Sequence, residues 1–397
     1  MNRSSTTSAE AERQEAASGR EERLESLPSA AEKEALTVGP ERFRERFRAI
    51  LRQISTREPL SEREAEEAFG LVMDGVADEA QIAGLLMGMR VRGETPAELL
   101  GAVKAVRSRM QALHAPPPDA IDVCGTGGDG HGTLNVSTSV AFVLAGLGVP
   151  VAKHGNRALS SKAGASDVLT ALGVPLKDDI ATLGADLRER NLAFMAAPHH
   201  HPAMRHAAGV RRALGVRTLF NFVGPLANPA CVTRQLVGVS DEAWLVPIVD
   251  TLEKLGSIRV WAVCGEVTGS ALRWIDEITL AGPTHVEALQ DGVRHRFTLE
   301  PGMAGLVEAP VSAIAGGGPE ENARALEALL RGSHGPYRDT VLFNAACGLH
   351  IAGRGQILND AGQVKQDVLR ELVAHAAYSI DSGAALGALE AARGVTG

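Results

Sequence analysis

The stretch Ile121-Asp122-Val123-Cys124-Gly125-Thr126-Gly127-Gly128-Asp129-Gly130 decides how this 397-residue chain is read. A short apolar strand runs into a loop with four glycines in six residues. Glycine lets the backbone take positive φ and lets a ligand come close to the amides. Amides that converge at the carboxyl end of a strand form a nest for an anion. The loop continues into Thr133-Leu134-Asn135-Val136-Ser137-Thr138, which opens an apolar helix near Ser137–Leu147. Its polar side chains are expected to cap that helix and to add donors beside a bound anion. Gly125, Gly127 and Gly130 also satisfy G-x-G-x-x-G, so a dinucleotide fold has to be weighed. Two features oppose it. The helix starts several residues after the motif, and the next strand, Val149–Lys153, does not end in the acid that a ribose diol requires. It ends in Lys153-His154-Gly155-Asn156-Arg157, a basic cluster suited to phosphate. The Walker pattern G-x-x-x-x-G-K-[ST] is absent here.

The basic turn leads through Ser160-Ser161-Lys162-Ala163-Gly164 to a helix beginning near Ala165. This makes a second strand–loop–helix anion site, expected next to the first in the sheet. Lys153 contributes a point charge and Arg157 a planar fork of donors. Together the two sites suit a ligand with two separated phosphate groups. Farther on, Pro198-His199-His200-His201-Pro202 has the residue type of a metal site, but three consecutive imidazoles do not face one ion without a tight turn, so a structural or substrate-facing role is expected. Arg211-Arg212 suits a carboxylate clamp, because guanidinium binds carboxylate through paired hydrogen bonds; a solvated helix face is the plain alternative. Asp276-Glu277, at a strand–loop junction, suits Mg²⁺, which prefers oxygen ligands and shares them with phosphates.

Around this core the chain reads as an α/β protein. Strands at Ala120–Cys124, Val149–Lys153, Arg234–Gly238, Arg259–Cys264 and Thr284–Leu289 alternate with helices, which implies a mostly parallel central sheet flanked by helices. Helices over Tyr337–Leu349 and Gln363–Leu389 are expected to pack on it. Before the triple proline Pro116-Pro117-Pro118 the texture is all helical. Phe43, Phe47, Ile50, Leu51 and Ile54 recur at helical steps. Ser61 with Glu64 forms a capping box, and Thr95-Pro96-Ala97-Glu98 opens another helix. Residues 41–115 are therefore expected to form a small helical domain, joined by part of 203–230, and residues 116–397 a large α/β domain. Residues 1–40 carry eight acidic and five basic residues and few large apolar side chains, and are expected to be a disordered tail.

Composition narrows the partners. The formal net charge is −8 and aromatics are only 4%, so neither a basic field for nucleic acid nor a stacking platform for single strands is present. No apolar run of 18 residues exists, and no membrane span or signal core is expected. The four cysteines Cys124, Cys231, Cys264 and Cys347 lie far apart, without C-x-x-C or zinc spacing, which fits a reducing cytoplasm.

Several motifs in order then resemble the anthranilate phosphoribosyltransferase family: Gly125-Thr126-Gly127-Gly128-Asp129-Gly130, Asn135-Val136-Ser137-Thr138, Lys153-His154-Gly155-Asn156-Arg157, Arg217-Thr218-Leu219-Phe220-Asn221 and Gly224-Pro225-Leu226-Ala227-Asn228-Pro229. The resemblance covers about residues 41–392. It implies a homodimer through the helical domain and transfer of the phosphoribosyl group of 5-phosphoribosyl 1-diphosphate to anthranilate, with diphosphate released. It further implies that the diphosphate substrate meets Gly125, Gly128, Asp129, Thr133, Asn135, Val136, Ser137, Thr138, Lys153, His154, Gly155, Asn156, Arg157, Ala158, Leu159, Ser160, Ser161 and Ala165. Anthranilate would be lined by Gly125, His154, Asn156, His201 and Arg211, and Mg²⁺ by Ser137, Asp276 and Glu277. No obligatory general base is implied, because the aniline nitrogen attacks as a neutral nucleophile. The chain departs from the family pattern at Ala163-Gly164-Ala165-Ser166-Asp167, where two hydroxyls are lost, and at Trp274-Ile275 after the Glu266–Arg273 loop. A pyrimidine-nucleoside phosphorylase of the same fold and a transferase with another aromatic acceptor are the nearest alternatives.

Overall fold

The N-terminal helices begin where capping chemistry starts them. The structure is a computed structural model, and it describes residues 40–157 and 162–394. The expected tail over 1–40 lies, apart from residue 40, outside the described residues. Residues 40–48 are helical, the first part of α1 (Pro40–Ser55). From residue 49 on, α2 (Glu62–Met73), α3 (Glu79–Arg92) and α4 (Pro96–Arg107) each start with a capping box, formed by Ser61 with Glu64, Asp78 with Gln81 and Thr95 with Glu98. Glu98 does more than close its box. Its side chain is fully buried, accepts the Leu60 amide at 2.9 Å and pairs with the half-buried Arg92 guanidinium. A buried carboxylate is tolerated because its oxygens are partnered.

One sheet organises the rest. Its strands β1 (Ile121–Gly125), β2 (Val151–Gly155), β3 (Leu192–Ala196), β4 (Arg234–Gly238) and β5 (Arg259–Glu266) are parallel. β6 (Trp274–Ile275), β7 (Thr284–Gln290) and β8 (Val293–Leu299) are added antiparallel. The order across the sheet is β3-β2-β1-β4-β5-β7-β8, with β6 paired to β5. Successive side chains leave opposite faces of a strand. Val151, Leu192 and Phe194 thus join the core built with α5 (Val136–Gly146), α13 (Pro336–Ile351) and α14 (Gln366–Asp381), while Ala152, Ala193 and Met195 join a smaller core with Leu183 and Leu187. Both faces are covered, as a parallel sheet requires.

Several elements differ from the sequence expectation. β3, β6 and β8 are strands where none is expected. The expected single helix over Gln363–Leu389 is two, α14 and α15 (Ala384–Arg393), because Gly383 takes φ +81 between them. The segment after β3 leaves the sheet. Its helices α9 (Arg205–Leu214) and α10 (Phe220–Leu226) meet the N-terminal helices: Phe220 packs edge-on to Phe69 at 5.2 Å, and Arg107 Nε donates to the Leu226 carbonyl at 2.8 Å.

The strand order places the site. β1 connects onward to β2 on one side and lies against β4 on the other. The loops leaving β1 and β4 therefore diverge and open a crevice at the carboxyl ends of the strands, where open α/β sheets bind ligands.

Candidate active site

The glycine loop is shaped by an acid that arrives from far along the chain. Gly127 and Gly128 take φ +70 and +74, so their amides turn away from the ordinary strand direction. The Gly127 amide donates to Asp276 Oδ2 at 2.6 Å, across 149 positions of sequence. Asp276 follows β6 and comes down on the ends of β1 and β4. A Cβ at Gly125 would stand 2.3 Å from Asp276 Oδ2, and one at Gly238 only 1.7 Å from the Asp276 carbonyl oxygen. The absence of those two side chains is what lets the acid reach the loop.

The electrostatics there are those of a site short of positive charge. Asp276 is 8% exposed, and its carboxyl is pushed up to about 7, by burial first and then by the Asp129 carboxylate beside it. Glu277 is also raised, by burial and then by Asp276, with Lys153 opposing. Lys153 is buried in the middle of β2, which runs two residues past the end expected from the sequence, and its ammonium donates to the Val123 carbonyl at 2.7 Å and to Ser137 Oγ at 3.1 Å. β1 and β2 are neighbours, so the glycine loop and the Lys153-His154-Gly155-Asn156-Arg157 turn stand side by side. Among the described residues no three His, Cys, Asp or Glu side chains converge as a closed metal cage. Ser137, Asp276 and Glu277 nonetheless form an all-oxygen set carrying excess negative charge. Such a set fits a hard divalent cation that keeps several waters and takes its remaining oxygens from a bound phosphate.

Asn135 corrects one expectation. It precedes α5, but its side chain makes no capping hydrogen bond. The carboxamide is held by Asn322, whose Nδ2 lies 2.9 Å from Asn135 Oδ1. The other polar residues of this stretch also leave the helix end uncapped. Ser137 accepts from Lys153, and Thr138 is buried with its hydroxyl unpartnered among the described residues. Thr133 bridges to Ala315, and Val136 is buried. On the β2 side Asn156 and Arg157 are exposed, with the Arg157 amide donating to Asn156 Oδ1 at 2.8 Å. Gly155 faces Ala165, the first residue of the short helix α6 (Ala165–Ala171). Ala158, Leu159, Ser160 and Ser161 lie outside the described residues.

A second group sits beside β2. His154 Nδ1 is 2.9 Å from the Gly224 carbonyl, which as an acceptor requires the proton on Nδ1 and leaves Nε2 as a lone pair. Its ring lies 5.0 Å from that of His201. The three consecutive histidines diverge: His199 turns to the Lys177 carbonyl, His200 to the Gln111 carbonyl, and His201 to His154. Arg211, in the last turn of α9, stacks over Phe220 at 5.2 Å, and burial lowers its pKa. No carboxylate of the described residues pairs with it. Arg212 beside it is exposed.

Burial holds His154 down to about 3, with His201 adding to the effect, and holds His201 down to about 4. Both are therefore neutral in the folded protein while the unfolded chain takes up protons near 6.5. The stability they contribute is present above pH 6.5 and is lost as pH falls towards 4, at about 1.4 kcal/mol per pH unit for each ring. His154→Gln is expected to flatten the fall in unfolding free energy between pH 6 and 4. Denaturant titrations at those two pH values check it, and an unchanged slope would contradict it.

Arg217 belongs to this site although only its motif, not its role, is legible in sequence. Its guanidinium donates to the Gly128 carbonyl at 3.2 Å, to Thr126 Oγ1 at 3.4 Å and to Ser240 Oγ, and so ties the glycine loop to the segment after β4. It also opposes the rise in the Asp276 carboxyl.

Comparison with known proteins places this arrangement. A model described as the glycosyl transferase family a/b domain matches residues 117–385, and one for the helical bundle domain of that family matches residues 48–110. The anthranilate phosphoribosyltransferase of Gluconobacter oxydans is 57% identical over 349 residues, covering 87% of this chain and 94% of that protein. Among solved structures, the anthranilate phosphoribosyltransferase of Thermus thermophilus is 39% identical with a TM-score of 0.75, covering 87% of this chain and 98% of that one. The enzyme from Saccharomyces cerevisiae in complex with PRPP and Mg is 28% identical with a TM-score of 0.76, covering 88% and 98%.

Proposed function

The chain belongs to the glycosyl transferase family of helical-bundle and a/b domains that includes the anthranilate phosphoribosyltransferases, and on that premise we propose that it joins anthranilate to 5-phosphoribosyl 1-diphosphate with release of diphosphate, a step of tryptophan biosynthesis. The observation that carries this reading is the meeting of the glycine loop, the Lys153 turn and the acid pair in one crevice. Residues 41–115 and 116–397 are proposed as its two domains, in keeping with family matches over 48–110 and 117–385. Pairing of two copies through the helical domain, and a cytoplasmic place, are part of the same reading.

Breaking the bond at the anomeric carbon leaves positive charge on the sugar and negative charge on the departing diphosphate. Oriented amides of the glycine loop and the Lys153 ammonium stabilise that leaving charge where it develops. Mg²⁺, held through Ser137, Asp276 and Glu277, would supply further neutralisation of the diphosphate. The nucleophile is a neutral aniline nitrogen, so its placement matters more than an ionised base. Arg211 is proposed to receive the carboxylate of anthranilate. Its guanidinium is already desolvated and without an acid partner among the described residues, so a planar anion completes it. His154 and His201 flank the path as uncharged rings, and His154 Nε2 offers an acceptor to the amine.

Anthranilate fluorescence, followed after mixing with 5-phosphoribosyl 1-diphosphate and Mg²⁺, tests the reaction. It is expected to fall; a constant signal from folded protein would overturn the reading. In the same assay Arg211→Ala is expected to raise the anthranilate KM by ~10–100-fold, the loss of one charge-assisted contact. The KM for 5-phosphoribosyl 1-diphosphate should change little. An unaltered anthranilate KM removes Arg211 from the site.

A further inference from the structure

We propose that Asn322 is a positioning residue of the diphosphate site: it determines which end of the Asn135 carboxamide faces the ligand. The proposal rests on the reading above, in which Asn135 touches 5-phosphoribosyl 1-diphosphate.

The assignment follows from donor and acceptor logic. The amide of Gly317 can only donate, and it lies 2.8 Å from one end of the Asn322 carboxamide. That end must be the oxygen. The other end of Asn322 is then NH₂, which can only donate, and it lies 2.9 Å from the Asn135 side chain. The atom it meets must be Asn135 Oδ1. Asn135 Nδ2 is left on the opposite side, with the Ala163 carbonyl at 3.5 Å, the outer limit of a hydrogen bond. Nδ2 carries two hydrogens, so at least one remains for an oxygen of the ligand. The polarity of a substrate-facing amide is thus set two hydrogen bonds back, by a backbone N–H that cannot be reversed.

The surroundings leave Asn135 little other freedom. Its carbonyl accepts from the Ser139 amide at 3.2 Å, from Ser139 Oγ at 3.3 Å and from the Tyr337 hydroxyl at 3.2 Å. The residues before it are strapped by the segment preceding α12 (Pro319–Leu330). The Leu134 amide donates to the Ile314 carbonyl at 2.9 Å, and the Gly316 amide to the Gly132 carbonyl at 2.8 Å. A Cβ at Gly316 would stand 2.7 Å from the Thr133 carbonyl oxygen. Asn322 itself is 2% exposed, in the first turns of α12. With the backbone fixed, rotation of the Asn135 amide by half a turn is the remaining variable, and it would set two NH₂ groups face to face.

Steady-state kinetics of the full chain test this with Asn322→Asp and Asn322→Ala, each alone and combined with Asn135→Ala. Asn322→Asp keeps an acceptor for Gly317 but offers Asn135 only acceptors, so the Asn135 amide turns and presents oxygen to the diphosphate. Its KM for 5-phosphoribosyl 1-diphosphate is expected to rise ~10–100-fold, with the anthranilate KM unchanged. Asn322→Ala removes more bonds yet leaves the amide free to choose, so its rise is expected to be smaller, ~2–10-fold. A merely structural role gives the reverse order. In the Asn135→Ala background both substitutions are expected to change that KM less than ~2-fold, because coupled sites are non-additive. An effect of the added charge alone would persist in that background. Wild-type KM in Asn322→Asp, an alanine effect as large as the aspartate effect, or full additivity with Asn135→Ala overturns the proposal while an active wild type leaves the reaction standing. If the wild type neither turns over nor binds 5-phosphoribosyl 1-diphosphate, both fall. Should Asn322→Asp not fold by circular dichroism, the cycle of Asn322→Ala with Asn135→Ala decides.

Discussion

Asp276→Asn is expected to lower kcat/KM by ~10²–10³ while making the ligand-free protein more stable at pH 8. The two effects share one cause. The Asp276 carboxylate is buried beside Asp129, and its pKa stands near 7 against the ordinary 3.8. A carboxyl raised in the folded state contributes stability that is complete below pH 3.8 and is lost as pH rises through 7. At pH 8 the charge therefore opposes folding by about 2–4 kcal/mol. A neutral amide of the same shape removes that opposition and can still accept the Gly127 amide. It removes as well the charge proposed to hold Mg²⁺ against the diphosphate. Melting temperatures at pH 5 and 8, without ligand, check the first half, with the gain expected to be larger at pH 8. The assay at saturating Mg²⁺ checks the second. A variant less stable at pH 8, or one retaining full activity, contradicts this account of the site.

Gly238→Ala is expected to abolish most activity without removing a single polar group. A Cβ there would lie 1.7 Å from the backbone oxygen of Asp276, and backbone cannot swing aside as a long side chain can. The acid loop has to retreat by more than 1 Å, a displacement that costs about 10²-fold when it misplaces catalytic groups. Overpacking at the end of a buried strand is also expected to lower stability by about 1–3 kcal/mol. A kcat/KM within threefold of wild type would show that Asp276 is not seated as described.

Much of this architecture is legible in the sequence, and the exceptions have physical reasons. β4 runs over Arg234–Gly238, the bounds expected from the sequence. β1 and β2 are shifted from expectation by one and two residues at both ends, and β5 and β7 run two and one residues past their expected ends. β3, Leu192-Ala193-Phe194-Met195-Ala196, is apolar at every position because both faces of the sheet are covered. Without alternation, a buried strand cannot be told from a buried helix. β8 reads Val293-Arg294-His295-Arg296-Phe297-Thr298-Leu299 and offers no apolar run to mark a strand; its Arg294 and Arg296 form ion pairs with Asp250, Glu253 and Glu242 on other elements. The split between α14 and α15 is signalled by Asp381-Ser382-Gly383, a glycine following a helix end.

The site divides in the same way. The glycine loop, the Lys153 turn and the acid pair announce themselves by local residue pattern. Arg217 and Asn322 do not, because their partners are distant: Arg217 reaches Gly128 across 89 positions and Asn322 reaches Asn135 across 187. The cap expected of Asn135 is overridden for the same reason. Local capping competes with a tertiary partner, and the buried Asn322 carboxamide wins.

The span of 149 positions between Gly127 and Asp276 has a consequence for biosynthesis. A chain made from its N-terminus can pair β1 with β2 soon after both emerge, but the seat at Gly125 and Gly238 stays empty until the ribosome has passed residue 276. Nascent chains truncated before that point own the glycine loop and the Lys153 turn without the acid that shapes them. Vectorial folding therefore delivers the glycine loop and the Lys153 turn well before the acid pair, so a growing chain has the parts proposed to hold a diphosphate before it has those proposed to neutralise it as it leaves.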